Sequence, residues 1–416
     1  MDLADKLTYR FARPDELADI SRLIAHSFPR LNRPPDWWVS QLQEPVWGGG
    51  ADTLLVGYDD GQPVAALQLH PLQQWVGGEL LATAGVGTVT ISPTHRKRGL
   101  GAKLVTAGLR AAHERGDIAS ALYPFRSSFY RKLGYGHAGD AIQYQVPPDW
   151  LPDSPERLKV VRLESDDERA EALDCYNRWA ATQNGQLARS DRVWRHVLET
   201  PERALFGFRN GGTLEGYALI TYRVDLPRRD RFLEVDELAW LTLPAARGLY
   251  GWLHSLNDQW QQILVRALPS HHLGTWLREV RLPHGSAPLW GLWEPAATLM
   301  SGPMFRLVDA RAAFERRHTA PGTELSVDFE VVDEQLAHNS GTLRLTLEDE
   351  HVHTDRAGAA DLSVRLDIST LSRLYIGTLP PVAGYEAGLL ECDRPDLLPR
   401  LGAALALPEP WTFDRF

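Results

Sequence analysis

The sequence predicts an α/β protein with mixed sheets, arranged in three successive blocks. Segments with apolar residues at helical spacing alternate with short runs rich in Val, Thr and Leu. The order of that alternation recurs in the middle of the chain. A proline-rich polar run, VPPDWLPDSPER over 146–157, separates the first block from the second.

The elements follow in order. PDELADISRLIAHSF has the apolar spacing of a helix, and DTLLVGYDDG with GQPVAALQLHPLQQWVGG predicts two strands around an Asp-Gly turn. LATAGVGTVTIS is a further strand, and GAKLVTAGLRAAHERGD a helix that stops near Gly116. IASALYPF opens another strand, SSFYRKLGY reads as a short helix and turn, and AIQYQVP as a strand. The second block offers LFGFRNGGTLEGYALITYRV as a hairpin, then FLEVDELAWLTLPAARGLYGWLHSLNDQ as strand, turn and helix. Its LTLPAARGLYGWL holds the place that VTISPTHRKRGLGAKL holds in the first, so the block reads as a diverged internal duplicate. In the third block MFRLVDARAAFERR leads from strand to helix, VDF and LRLTL alternate as half-exposed sheet, and ADLSVRLDISTLSRLYIG ends in an amphipathic helix. The expected domains are 1–150, 151–300 and 301–416.

Bulk properties narrow the class. At 416 residues, 44% apolar and 24% charged, the chain has the makeup of a globular protein of two or three domains. No apolar run approaches the length of a membrane span, and MDLADKLTYR has no signal-like apolar core. Cys175 and Cys392 are too few and too far apart for a disulfide framework or a zinc site, so no metal is expected and a cytoplasmic location is. A formal charge of −10 argues against general nucleic-acid binding. Yet nine Lys or Arg residues lie between Val86 and Tyr135 against only Glu114 and Asp117, which suits either a polyanionic small ligand or a solvated helix face.

The stretch HRKRGLGAKL, His95 to Leu104, concentrates that charge between a strand and a helix. Gly99 and Gly101 allow close backbone approach, and the first amides of a helix lack carbonyl partners, so an anion can accept from them. Arg96, Lys97 and Arg98 add positive charge at the same end. Neither a Walker A loop nor a GxGxxG fingerprint is present; RxxGxG remains, and a basic helix start with no ligand is the competing reading.

VGTVTISPTHRKRGLGAKLV resembles the cofactor-binding motif of the Gcn5-related N-acetyltransferases (GNAT), and SSFYRKLGYGHAG resembles their later segment. The order of a GNAT fold, a diverged second copy and a small last domain is similar to the enhanced intracellular survival (Eis) family, whose last domain is sterol-carrier-like. The resemblance implies tandem GNAT-like folds followed by a sterol-carrier-like domain, with acetyl-CoA as cosubstrate. It implies that the RxxGxG turn holds the pyrophosphate and that the backbone at Val89 and Ile91 meets the thioester and pantetheine. Their side chains read equally as core.

By the same resemblance Tyr130 takes the place of the general acid, a phenol protonated at neutral pH. Tyr135 suits packing. The chain ends PEPWTFDRF, with two prolines and three aromatic residues, a stiff tail for apolar pinning. The resemblance carries the terminal carboxylate, here that of Phe416, into the site. An α-carboxylate pKa near about 3.5 is low for a base, so a base and an amine-holding group both stay open. Phe28, Trp37 and Trp38 are candidates for lining the acceptor pocket and equally for core. In the second copy Arg247 and Gly248 persist but Tyr250 stands at the second glycine position, so no cofactor is expected there.

The acceptor is then a small-molecule or peptide amine. Arg415 does not favour a polycation, though Asp414 partly offsets it. Members of the resembling family form hexamers, which implies a homo-oligomer. The competing functional reading is a non-catalytic lipid- or acyl-CoA-binding protein using the last domain.

Overall fold

The computed structural model describes residues 7–200, 202–223, 232–268, 271, 273–279, 297–354 and 358–416; the start on which the signal reading rests lies largely outside them. The chain divides into two compact units, one of residues up to 138 with 303–410 and 414–416, the other of 139–302 with 411–413.

The first unit carries a seven-stranded sheet. Its strands are β1 (Thr8–Phe11), β2 (Leu54–Asp59), β3 (Gln62–Val76), β4 (Glu79–Ile91), β5 (Ala119–Leu122), β6 (Gly136–His137) and β7 (Met304–Leu307), in the spatial order β1-β2-β3-β4-β5-β7-β6. The expected Asp-Gly turn joins β2 to β3, with Asp60 at φ 45° and Gly61 at φ 78°, the paired positive values of a tight hairpin. Among the described residues, β4 and β5 are the one parallel pair of this sheet. Helix α1 (Leu17–Ser27) buries Leu17, Ile20, Leu23 and Ile24 at helical spacing. Helix α2 (Pro35–Gln43) follows, α3 (Leu100–Arg115) ends at Gly116 in the left-handed region, and α4 (Ser127–Arg131) follows β5.

A five-stranded sheet in the same unit, with Leu325–Val332 at its centre, carries alternating buried positions such as Val327, Phe329 and Val331. These pack with helix Ile368–Ile376 into a core that also takes in Val76, Leu81, Ile118 and Ala119 from the first block.

The second unit repeats the pairing scheme of the first sheet: four antiparallel strands, one parallel partner, then two more. Two strands fall across the expected boundaries. Asp140–Val146, read as the end of the first domain, lies in the second sheet, and Met304–Leu307 from the third block completes the first. Alternation identifies a strand but not its partner, and the proline-rich run forms two short 3-10 turns, Pro148–Trp150 and Pro155–Lys159.

The duplicate turn also differs from its expected form. Helix α5 (Leu243–His254) begins directly after the strand, with the Thr242 hydroxyl accepting from the Ala245 amide at 3.3 Å. Gly248 is therefore inside the helix, where a Cβ would meet Phe208 at 2.4 Å, and Tyr250 is a core residue rather than an obstruction at a helix start.

Candidate active site

The site begins with a defect in a strand. Pairing of β3 with β4 slips between Ala66/Thr90 and Gln68/Gly87, so β4 carries one extra residue there. Thr88 sits in the bulge at φ 53°, a conformation a β-branched residue rarely adopts. On its other side β4 pairs with β5 only from Thr83 to Gly85. Beyond Gly85 the two parallel strands part, and among the described residues no strand pairs with that edge at Val86–Ile91.

The start of α3 faces the opening. Gly99 is its N-cap at φ 75°, no side chain caps it, and a Cβ there would meet nothing within 4 Å. The preceding Lys97 also has positive φ, 60°. A Cβ at Gly101 would lie 3.3 Å from the Phe129 ring. Strand edge and helix start together border a cleft of about 740 Å³. Val89, Ile91, Arg96, Lys97, Gly99 and Gly101 line it; Arg98 is exposed and does not. His95, which belongs to the quoted turn but had no assigned role, lines it too and pairs with Asp59 at 3.3 Å. The arrangement fits acetyl-CoA on structural grounds: an uncapped helix start with open space at Gly99 for a diphosphate, and an unpaired strand edge for an extended amide-bearing chain.

Tyr130, on α4, lines the same cleft at 2% exposure, among the rings of Phe125, Phe129 and Tyr135. Burial, with a smaller contribution from Tyr135, pushes its phenol above the ordinary range. It therefore keeps its proton throughout the neutral range. Tyr135 donates to or accepts from Ser120 at 2.7 Å and lies wholly in the core, with burial pushing it up to about 12.

The last residue reaches the cleft as well. The Tyr123 hydroxyl donates to the Asp414 carbonyl at 2.6 Å, and Trp47 Nε1 donates to the Arg415 carbonyl at 3.1 Å. Hydrogen bonds thus pin a tail for which the sequence suggested only apolar contacts. The Phe416 ring lies 5.6 Å from that of Tyr123. A Cβ on Gly85 would be 2.9 Å from the Phe416 ring, and one on Gly87 would be 3.9 Å from its carboxyl carbon. Two glycines at i and i+2 share one face of β4, and their missing side chains leave the seat for the tail.

Phe28 lines the cleft, whereas Trp37 and Trp38 do not. Trp38 is 8% exposed and packs with Ile20, Ile24 and Leu42, while Trp37 stacks edge-on against it. Adjacent helix positions point about 100° apart, so Trp38 enters the core beside α1 while Trp37 packs, partly buried, at its margin. Sequence reasoning also passed over Trp47, Tyr123 and the Gly85/Gly87 pair; the alternating glycines of AGVG were the available signal.

The chain is similar to known proteins in domain content, sequence and fold. Two models described as acetyltransferase (GNAT) domains match residues 8–138 and 185–307, and a sterol carrier protein domain matches 310–413. N-acetyltransferase Eis of Mycobacterium tuberculosis is 29% identical over 377 residues, covering 87% of this chain and 88% of that one. An uncharacterized N-acetyltransferase of Streptomyces avermitilis is 26% identical over 388 residues, with 87% and 88% covered. Among solved structures, a GCN5-related N-acetyltransferase from Anabaena variabilis superposes with TM-score 0.83 at 22% identity, over 99% of this chain and all of that one. Eis1 from Mycobacterium abscessus gives 0.78 at 21% identity, with the same coverage.

Proposed function

We propose, from the premise that this chain is an Eis-like GNAT N-acetyltransferase using acetyl-CoA and carrying a sterol carrier protein domain, that it acetylates a primary amine by direct transfer, with Tyr130 as general acid and the Phe416 carboxylate at the amine. One observation carries this reading: Tyr130 and Phe416, 286 positions apart by their numbers, border one cleft with the bulged β4 and the open start of α3.

In this mechanism the amine nitrogen forms the new bond to the acetyl carbon as the carbon–sulfur bond breaks. Amides of the unpaired β4 edge polarise the carbonyl, where fixed donors act without reorganising. The Tyr130 hydroxyl donates to the departing sulfur, and its raised pKa keeps that proton available at any neutral pH. The proton lost by nitrogen goes to the Phe416 carboxylate or to water that it holds. Arg96 and Lys97, which line the cleft, would hold the diphosphate.

Phe28, Tyr123, Phe125 and Phe416 wall the cleft with aromatic rings, which suits an amine on an apolar body. The second GNAT-like domain acts as scaffold, since the start of α5 is capped by Thr242. In the last domain the sheet's inner face is filled by Val327, Phe329, Leu345 and their neighbours, which supports a structural role over lipid carriage. Two unpaired thiols, Cys175 and Cys392, suit a reducing cytoplasm.

The test is acetyl-CoA consumption across a panel of amines. Tyr130→Phe should lose about a hundredfold or more in kcat while acetyl-CoA still shifts thermal melting. A chain lengthened by one glycine after Phe416 should lose turnover at unchanged stability. Full activity in Tyr130→Phe removes the acid role; full activity in the longer chain removes the carboxylate.

A further inference from the structure

His70 is a titratable group in the first unit that the mechanism above does not use. It lies in β3 opposite Gly85, and its side chain crosses toward Gly87, where a Cβ would stand 3.1 Å from Nε2 and 3.4 Å from Cδ2. The same point is 3.9 Å from the carboxyl carbon of Phe416, so distances of 3.1 and 3.9 Å bound the separation of Nε2 from that carbon at 7.0 Å. The other ring nitrogen, Nδ1, is sealed from solvent and has no hydrogen-bond partner among the described residues.

We propose that His70 is a positioning residue for acetyl transfer: its Nε2–H faces the Gly87 slot that the α-carboxylate of Phe416 also borders, and orients that carboxylate through one water for the acceptor amine. The inference rests on the reading that this carboxylate acts at the amine. Buried orphan N–H groups are rarer than under-used acceptors, so the single proton of the neutral ring belongs on Nε2, the edge that faces the slot. Burial, then the positive charge of Arg115, pushes the imidazole down to about 4, so the ring is neutral near pH 7. Arg115 is held close by donating to the Leu69 carbonyl at 2.9 Å and pairing with Asp117 at 2.8 Å. A ring so reluctant to take a second proton is a poor base and a good neutral donor. It can orient a carboxylate without holding the carboxylate's pKa down as a cation would.

His70→Met keeps the bulk and removes the donor; His70→Gln restores an N–H near the Nε2 position. Because the hydrogen bond runs through water to a charged group, His70→Met should lower kcat/KM for the amine by about tenfold or more. The thermal shift with acetyl-CoA should stay unchanged, and His70→Gln should recover to within about threefold of wild type. In the chain lengthened by one glycine, where the carboxylate has already moved, His70→Met should cause no further loss. Wild-type activity in His70→Met overturns the proposal, as does a full additional loss on top of the lengthened tail. If Met does not fold, the imidazole 15N shifts of wild-type protein decide: Nε2 should carry the proton, and its resonance should move on lengthening the tail. A proton on Nδ1, or no movement, overturns the proposal. An undiminished rate in the lengthened chain alone would instead defeat the carboxylate reading on which it stands.

Discussion

Tyr123 holds the tail by two means, a hydroxyl donated to the Asp414 carbonyl and a ring laid beside that of Phe416. Tyr123→Phe separates them, because the ring remains and only the donor goes. A neutral hydrogen bond of this kind contributes about 0.5–1.5 kcal/mol. The variant should therefore lose about twofold to tenfold in kcat/KM for the amine, with acetyl-CoA affinity unchanged, since Asp414 lies at the tail and not at the α3 turn. Steady-state kinetics with each substrate varied in turn would check this. An equal loss for both substrates would mean that Tyr123 supports the whole cleft and not the tail. The paired Trp37 and Trp38 show the opposite case. They are conspicuous in sequence, yet their rings serve α1 packing.

The bulge in β4 is where an element departs from its ordinary geometry. A threonine at φ 53° carries strain of about 1–3 kcal/mol, maintained because β3 pairs on both sides of the extra residue. Thr88→Gly should relieve about 1 kcal/mol of it and raise the melting temperature by about 1–2 °C. A fall in melting temperature would show that the Thr88 side chain contributes more than its backbone costs. This level also marks what the sequence could reveal. Strands, the α3 helix and the glycine turn were legible because periodicity and positive-φ glycines are local properties. That Tyr130 and Phe416 border one cleft was to be expected only through family resemblance, since nothing local brings positions so distant together. The parting of β4 from β5, the seat formed by Gly85 and Gly87, and the strand exchange at 140–146 and 304–307 depend on pairing partners. Alternation does not encode those.

At the scale of the whole first unit, the first sequence block is not self-contained. Strand β7, from residues 304–307, fills the gap between β5 and β6, and without it β5 would present a bare edge and β6 would have no partner in the sheet. Its Arg306 is fully buried, donating to the Leu133 carbonyl at 2.8 Å, to the Leu307 carbonyl at 2.6 Å and to both oxygens of Asp333. Leu133 in turn donates its amide to the Tyr130 carbonyl at 2.9 Å, so the turn that carries the proposed acid is tied to a strand from beyond residue 300. Val76, Leu81, Ile118 and Ala119 would also lose the neighbours they share with Phe305, Phe314 and Tyr375. A fragment of residues 1–150, the domain that sequence alone would cut out, should therefore lack a cooperative melt and show no thermal shift with acetyl-CoA. Calorimetry on that fragment beside the full chain tests this. A sharp transition with a ligand-dependent shift would mean that the first six strands close their own core, and that the later segments contribute only stability at the margin.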